Sequence, residues 1–203
     1  MYKFLTLIML LIINGCSSVT SNEVIKLDSQ SITTVSPKII EAKLEQTPFD
    51  IWERIRLELT LVIPQDQIAA TSIYRERLYK NQSAVNRISK SGQRYLHHTL
   101  TRAEELGLPV ELALLPFVES EFDPYAKSVD GATGIWQFMP ATGKEWGLKT
   151  NWWYDGKKDV LASTEAALQF LTYLNEKFDG DWLLAMAAYN TGPTRVNRAI
   201  RKN

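Results

Sequence analysis

Leu112-Ala113-Leu114-Leu115-Pro116-Phe117-Val118-Glu119-Ser120 is the stretch on which the reading turns: an apolar run that ends in a charge and a hydroxyl. A carboxylate at the end of an apolar helix is poorly solvated, so its neutral form is favoured and its pKa rises toward the working pH. A carboxyl held in that state can give up a proton, the property that a general acid for glycoside cleavage needs. Glu119 is therefore the candidate catalytic residue. The alternative is a surface Glu that merely caps a buried helix, because structural networks also perturb carboxyls.

Working outward, Gly107-Leu108-Pro109 punctuates the chain, and Pro109 is placed to begin the helix that carries the run to Glu119. Pro116 falls inside that helix, where it removes the bond to Leu112 and bends the last turn. Upstream, Thr47-Pro48-Phe49-Asp50 reads as a helix start, with Ile51, Ile55, Leu59 and Val62 on one face and Pro64 as the stop. Ser83 opens a longer helical pattern with Val85, Ile88, Tyr95, Leu96, Leu100, Ala103 and Leu106 as its apolar stripe, weakened in the middle by Gly92. Downstream, Asp130-Gly131-Ala132-Thr133-Gly134 reads as a loop, Pro140 to Trp146 as a short helix, and Thr164 to Phe178 as a strong helix ended by Asp179-Gly180. Asp181 caps a further apolar helix that delivers Tyr189-Asn190 to a break at Thr191-Gly192-Pro193, and another helix starts near Thr194. No convincing strand alternation occurs, so the fold class is mainly α.

A chain of 203 residues, 45% of them hydrophobic, can bury one core and at most a small satellite. Basic and acidic side chains balance at 23 each, without a concentrated Lys/Arg patch, which argues against nucleic acid as a partner. The single cysteine, Cys16, excludes an internal disulfide and a Cys-based metal cage. Adjacent His97 and His98 point about 100° apart on a helix, a poor arrangement for one metal, and no metal or cofactor is expected.

Lys3, the apolar stretch Phe4 to Ile13 and the closing Ile13-Asn14-Gly15-Cys16 resemble a bacterial lipoprotein signal peptide over residues 1–15, too short to span a bilayer. The resemblance implies a lipidated Cys16 as membrane anchor, and Ser17 after it matches lipoproteins sent to the outer membrane of Gram-negative bacteria, facing the periplasm. An ordinary secretory signal with an incidental cysteine is the alternative. Residues 16–46, rich in Ser and Thr and free of aromatics, read as a flexible tether. Residues 47–95 then form an N-terminal helical segment packed on a catalytic domain at 96–203.

Glu119-Ser120, Gly131-Ala132-Thr133-Gly134-Ile135-Trp136-Gln137-Phe138-Met139-Pro140 and Ala188-Tyr189-Asn190 follow one another in that order. Each is weak alone. Together they resemble the lytic murein transglycosylases of the soluble-lytic type, and within them the membrane-bound D branch, from about Phe49 through Ala185. The resemblance implies a lysozyme-like helical domain acting on peptidoglycan glycan strands. It implies that Glu119 protonates the β-1,4 glycosidic oxygen between N-acetylmuramic acid and N-acetylglucosamine. As a carboxylate it then takes the proton of the muramic 6-hydroxyl, which closes a 1,6-anhydro ring. It also assigns Ser120, Ser128 and Gln137 to sugar contacts and Met139 to packing against a ring. Tyr189 is expected to reach the catalytic carboxyl with its hydroxyl; Asn190, more often a helix cap than a ligand, ranks lower. The glycines serve equally as tight-turn residues. Most of the tryptophans, Trp182 above all, are expected in the core, although Trp faces also stack on sugars.

Glu121 and Asp123 depart from the pattern, which commonly has a small apolar residue and Asn there. Extra charge at Glu121 would raise the Glu119 pKa further. In a continuing helix Glu121 would face away from Glu119 and be solvated. The family also continues beyond Tyr189-Asn190 through more helices, and the D branch adds LysM repeats, so the domain is expected to be C-terminally shortened at Asn203 and the last helix to lack its usual partners. A hydrolytic lysozyme-like muramidase, or a truncated non-catalytic peptidoglycan-binding protein, are the competing readings.

Overall fold

Asp50 opens the first helix by accepting a hydrogen bond from the Trp52 amide at 3.1 Å, which satisfies one of the free amides at a helix start. The computed structural model describes residues 50–62 and 64–202. The expected signal peptide, Cys16, the expected tether and the expected cap at Thr47 lie outside the described residues.

Helix α1 (Ile51–Leu57) is shorter than expected. Its continuation is diverted by Glu111, whose buried carboxylate accepts from the amides of both Thr60 and Leu61 at 2.7 Å. Amides captured in this way cannot close helical bonds, so residues 59–62 leave the helix. Leu59 and Leu61 still pack on the core, whereas Val62 is 86% exposed rather than on the buried stripe.

Two further helices precede the central apolar run. α2 (Gln65–Lys80) was not anticipated from the sequence, and α3 (Gln82–Gly92) is capped by Asn81, which accepts from the Ala84 amide. The single long helix expected from Ser83 to Leu106 is in fact two, with α4 (Leu96–Glu105) following a turn after Gly92. At the break the backbone closely approaches the core: a Cβ on Gly92 would lie 2.6 Å from the Phe117 ring, so the bare backbone there accommodates the ring. Leu96, Leu100 and Ala103 of α4 are buried as the stripe requires, while Leu106 is exposed.

The central run is also segmented. Val110–Leu114 is a 3-10 helix, and only Leu115–Glu119 is α-helical (α5). Pro116 therefore occupies the first turn of α5, where its missing amide costs nothing, instead of bending a continuous helix. Every residue from Val110 to Phe117 is buried. At roughly 1.5–3 kcal/mol for each large apolar side chain fully buried, this run is the main anchor of the core.

Around it lie α6 (Pro140–Glu145), α7 (Val160–Lys177), α8 (Trp182–Thr191) and α9 (Pro193–Ile200). Asp159 caps α7 by accepting from Leu161 and Ala162, and Asp181 caps α8 by accepting from Leu184. α4 packs on the 3-10 helix and on α7, α7 on α8, and α8 on α9. Val196 of α9 is buried in a small satellite cluster with Leu174, Phe178, Ala185 and Ala188. Among the described residues there are no strands, only isolated bridges such as Thr133 with Phe138, and the fold is mainly α.

Candidate active site

Glu119 is the last residue of α5, and the chain behind it turns back sharply. Glu121 and Phe122 both adopt left-handed backbone conformations, at φ 55° and 60°. Such angles cost non-glycine residues on the order of 1 kcal/mol each or more, so something must hold them. The Pro116 carbonyl accepts from both Ser120 and Phe122 amides at 3.1 Å. Phe122 is buried edge-on against Phe117, with ring centroids 4.6 Å apart, and Trp52 of α1 stacks on the other side of Phe117. Arg87 grips Glu121 through two hydrogen bonds of 2.9 and 3.1 Å.

This hook separates the two neighbouring acids. Glu121 is not on a continuing helix, and its carboxylate faces Arg87 at the surface. Among the described residues Glu119 has neither a hydrogen-bond partner nor an ion pair, and burial alone pushes its carboxyl up to about 8. The expected contribution from Glu121 is absent from that shift. At neutral pH the Glu119 carboxyl is therefore protonated, a proton donor in a poorly hydrated place.

Near it runs the glycine-bearing loop of residues 131–139, linked to it through its neighbour Ser120 and through Tyr189, which senses its charge. Gly134, at φ 83°, is indispensable there, since a Cβ would stand 1.7 Å from the Lys157 carbonyl oxygen. Thr133 and Phe138 exchange backbone hydrogen bonds of 3.0 and 3.1 Å across the turn. Two consecutive carbonyls are then tied from different elements: Ser120 Oγ donates to Ile135 at 3.0 Å, and the Tyr189 hydroxyl of α8 donates to Trp136 at 2.9 Å. The Trp136 indole, fully buried, donates in turn to Thr164 Oγ1 of α7 at 3.0 Å. The loop is thus fixed to α5, α7 and α8 at once.

The residues singled out in the sequence take distinct places. Gln137, itself left-handed at φ 49°, donates through Nε2 to the carbonyls of Gly134 and Ala126, which leaves its Oε1 as an acceptor. Ser128 Oγ accepts from the Ala132 amide and keeps its O–H to donate. Met139 lies just before α6 and is 42% exposed. Asn190 sits exposed on the last turn of α8, while Gly192 ends that helix. Tyr189 differs from expectation, because its hydroxyl is given to Trp136 and not to Glu119. The two groups still sense each other: burial, and then the Glu119 charge, raise the phenol well above its ordinary pKa. The ties made by Ser120, Thr164 and Arg87 were not foreseen, and no local pattern marks Thr164 or Arg87.

The transglycosylase SLT domain family model matches residues 89–203. Membrane-bound lytic murein transglycosylase D of Escherichia coli (strain K12) is 42% identical over 154 residues, covering 76% of this chain and 34% of the relative. Peptidoglycan transglycosylase gp16 of Escherichia phage T7 is 42% identical over 89 residues, 42% of this chain and 6% of that protein. The chain spans about a third of the length of the first of these relatives, 34%.

Proposed function

The chain belongs to the transglycosylase SLT domain family, and from that premise we propose that it is a peptidoglycan lytic transglycosylase. Its reaction breaks the β-1,4 bond between N-acetylmuramic acid and N-acetylglucosamine without water. The observation that carries this reading is Glu119: a carboxyl without a polar partner among the described residues, raised by burial to about 8, near a loop anchored from three helices.

Glu119 gives its proton to the glycosidic oxygen, and the C1–O bond breaks through an oxocarbenium-like state. The new carboxylate then takes the proton of the muramic 6-hydroxyl. That oxygen attacks C1, and the carboxyl is restored as the 1,6-anhydro ring closes. The proton count balances within one turnover. A two-carboxylate glycosidase would need a second acid across the bond; the acetamido group of the sugar takes that part here. Ser128 through its O–H and Gln137 through Oε1 contact the sugar, and exposed Met139 packs against a ring. Ser120 and Tyr189 hold the loop carbonyls that set this geometry, and Asn190 borders the site. Division at residues 95 and 96 separates the N-terminal helical segment from the catalytic part.

Cys16 is proposed to carry the lipid that anchors the protein to the outer membrane, with the domain in the periplasm. Cys16→Ser then abolishes lipid labelling and releases the protein; unchanged membrane attachment refutes the anchor. Digestion of murein followed by mass spectrometry tests the reaction. Anhydro ends are lighter than reducing ends by one water, so reducing ends alone would turn the assignment to a hydrolytic muramidase. Murein binding with no cleavage at all would make it a binding protein.

A further inference from the structure

Beside the hook that follows Glu119 lies a groove of about 650 Å³, within the usual size range of ligand sites. It is lined by Lys90 of α3, by Arg94 in the turn that follows that helix, and by Tyr95, Pro124 and Tyr125. Tyr125 is 76% exposed, a large aromatic surface at the groove. Buried Phe122 also lines it.

The charges facing this space are unevenly committed. Arg87 is neutralised by Glu121. Asp123, the one acid in the lining, accepts from the Tyr125 amide at 2.8 Å. Lys90 and Arg94 are exposed and have no ion-pair partner among the described residues. The groove therefore offers two available cations together with apolar, aromatic surface.

We propose that this groove holds the short peptide that peptidoglycan strands carry on the muramic lactyl group, with Lys90 and Arg94 taking its carboxylates and Tyr95 and Tyr125 covering its aliphatic parts. The inference rests on the reading of the chain as acting on peptidoglycan. It adds a second recognition element, separate from the sugar contacts. Distance permits it: Phe122 is three residues from Glu119, so their Cα atoms lie at most about 11 Å apart. The groove is thus within reach of a peptide adjoining a scissile bond at Glu119.

The test is equilibrium binding of the soluble wall peptide, free of sugar, to the full chain, followed by the amide NMR signals of residues 87–95 and 122–125. Those signals shift on titration with the carboxylate peptide. Affinity falls about tenfold, about 1.4 kcal/mol, in Lys90→Ala/Arg94→Ala, and further in Lys90→Glu/Arg94→Glu. Amidation of the peptide carboxylates has the same effect on the unaltered protein. No shifts, equal affinity for the amidated peptide, or equal affinity in the variants overturns the proposal. Displacement by inorganic phosphate at equal concentration also overturns it, since the groove would then be a general anion site. Binding is read without strand cleavage, so failure of the groove and failure of the enzymatic reading are seen separately.

Discussion

Replacing Glu119 by Gln should stabilise the protein at neutral pH and leave it nearly unchanged in acid. The buried carboxyl titrates at about 8 in the folded chain against an ordinary 4.5. Between those values the folded state holds a proton that the unfolded state has released. Stability therefore decreases as pH rises, by about 1.4 kcal/mol per unit for this one group. The contribution is fully present below the unfolded value and lost as pH climbs through the folded one. At pH 7, about 2.5 units above the unfolded pKa, the penalty reaches roughly 3 kcal/mol, an upper bound because some water reaches the side chain. Gln has a similar shape and no charge to release, so the penalty vanishes. Urea unfolding of both proteins at pH 4.5, 7 and 9 gives the difference directly, and other titrating groups cancel in it. The variant should be more stable by up to about 3 kcal/mol at pH 7 and by somewhat more at pH 9, with little difference at pH 4.5. Equal stability at every pH would refute the claim that this carboxyl is held dry.

Tyr189→Phe removes the bond to the Trp136 carbonyl and should cost about 1 kcal/mol in denaturant unfolding. Strand cleavage should fall more steeply than that loss of stability explains, because the loop near Glu119 loosens. Gly134→Ala sets a methyl carbon 1.7 Å from the Lys157 carbonyl at a φ of 83°; a loss of more than about 3 kcal/mol is expected, visible as a large fall in the urea midpoint. Glu111→Ala frees the amides of Thr60 and Leu61 and should cost about 2–3 kcal/mol. Limited proteolysis should then cut within residues 58–64 first, and protection equal to that of the unaltered chain would count against the tether.

Much of the helical plan was legible because its signals are local. Asp181 accepts from the amide three residues on, and Gly192-Pro193 ends one helix and starts the next. The start of α7 was read too late, at Thr164, because its cap Asp159 went unmarked. The buried stripe of Leu96, Leu100 and Ala103 follows helical spacing in the same way. What was not legible depends on partners distant in sequence. α1 stops early because Glu111, some 50 positions away, captures two amides. At Gly92, where the long helix breaks, Phe117 packs on the bare backbone. α2 shows no apolar stripe and escaped notice.

The candidate site divides similarly. Glu119 stood out because a charge at the end of an apolar run is conspicuous. The hook behind it did not, because Glu121 and Phe122 are not the residue types that advertise a left-handed backbone. Ser120 and Tyr189 were singled out for sugar or carboxyl contacts, yet their hydroxyls hold loop carbonyls. A motif can mark which residues matter without revealing which atoms they touch.

The pH dependence of kcat/KM for strand cleavage tests the central claim most directly, since it reports the ionisation of the free protein. A proton donor raised by burial to about 8 predicts activity that persists through neutrality and falls on a basic limb near that value. A limb already descending near 4.5, the ordinary value for this carboxyl, would contradict it.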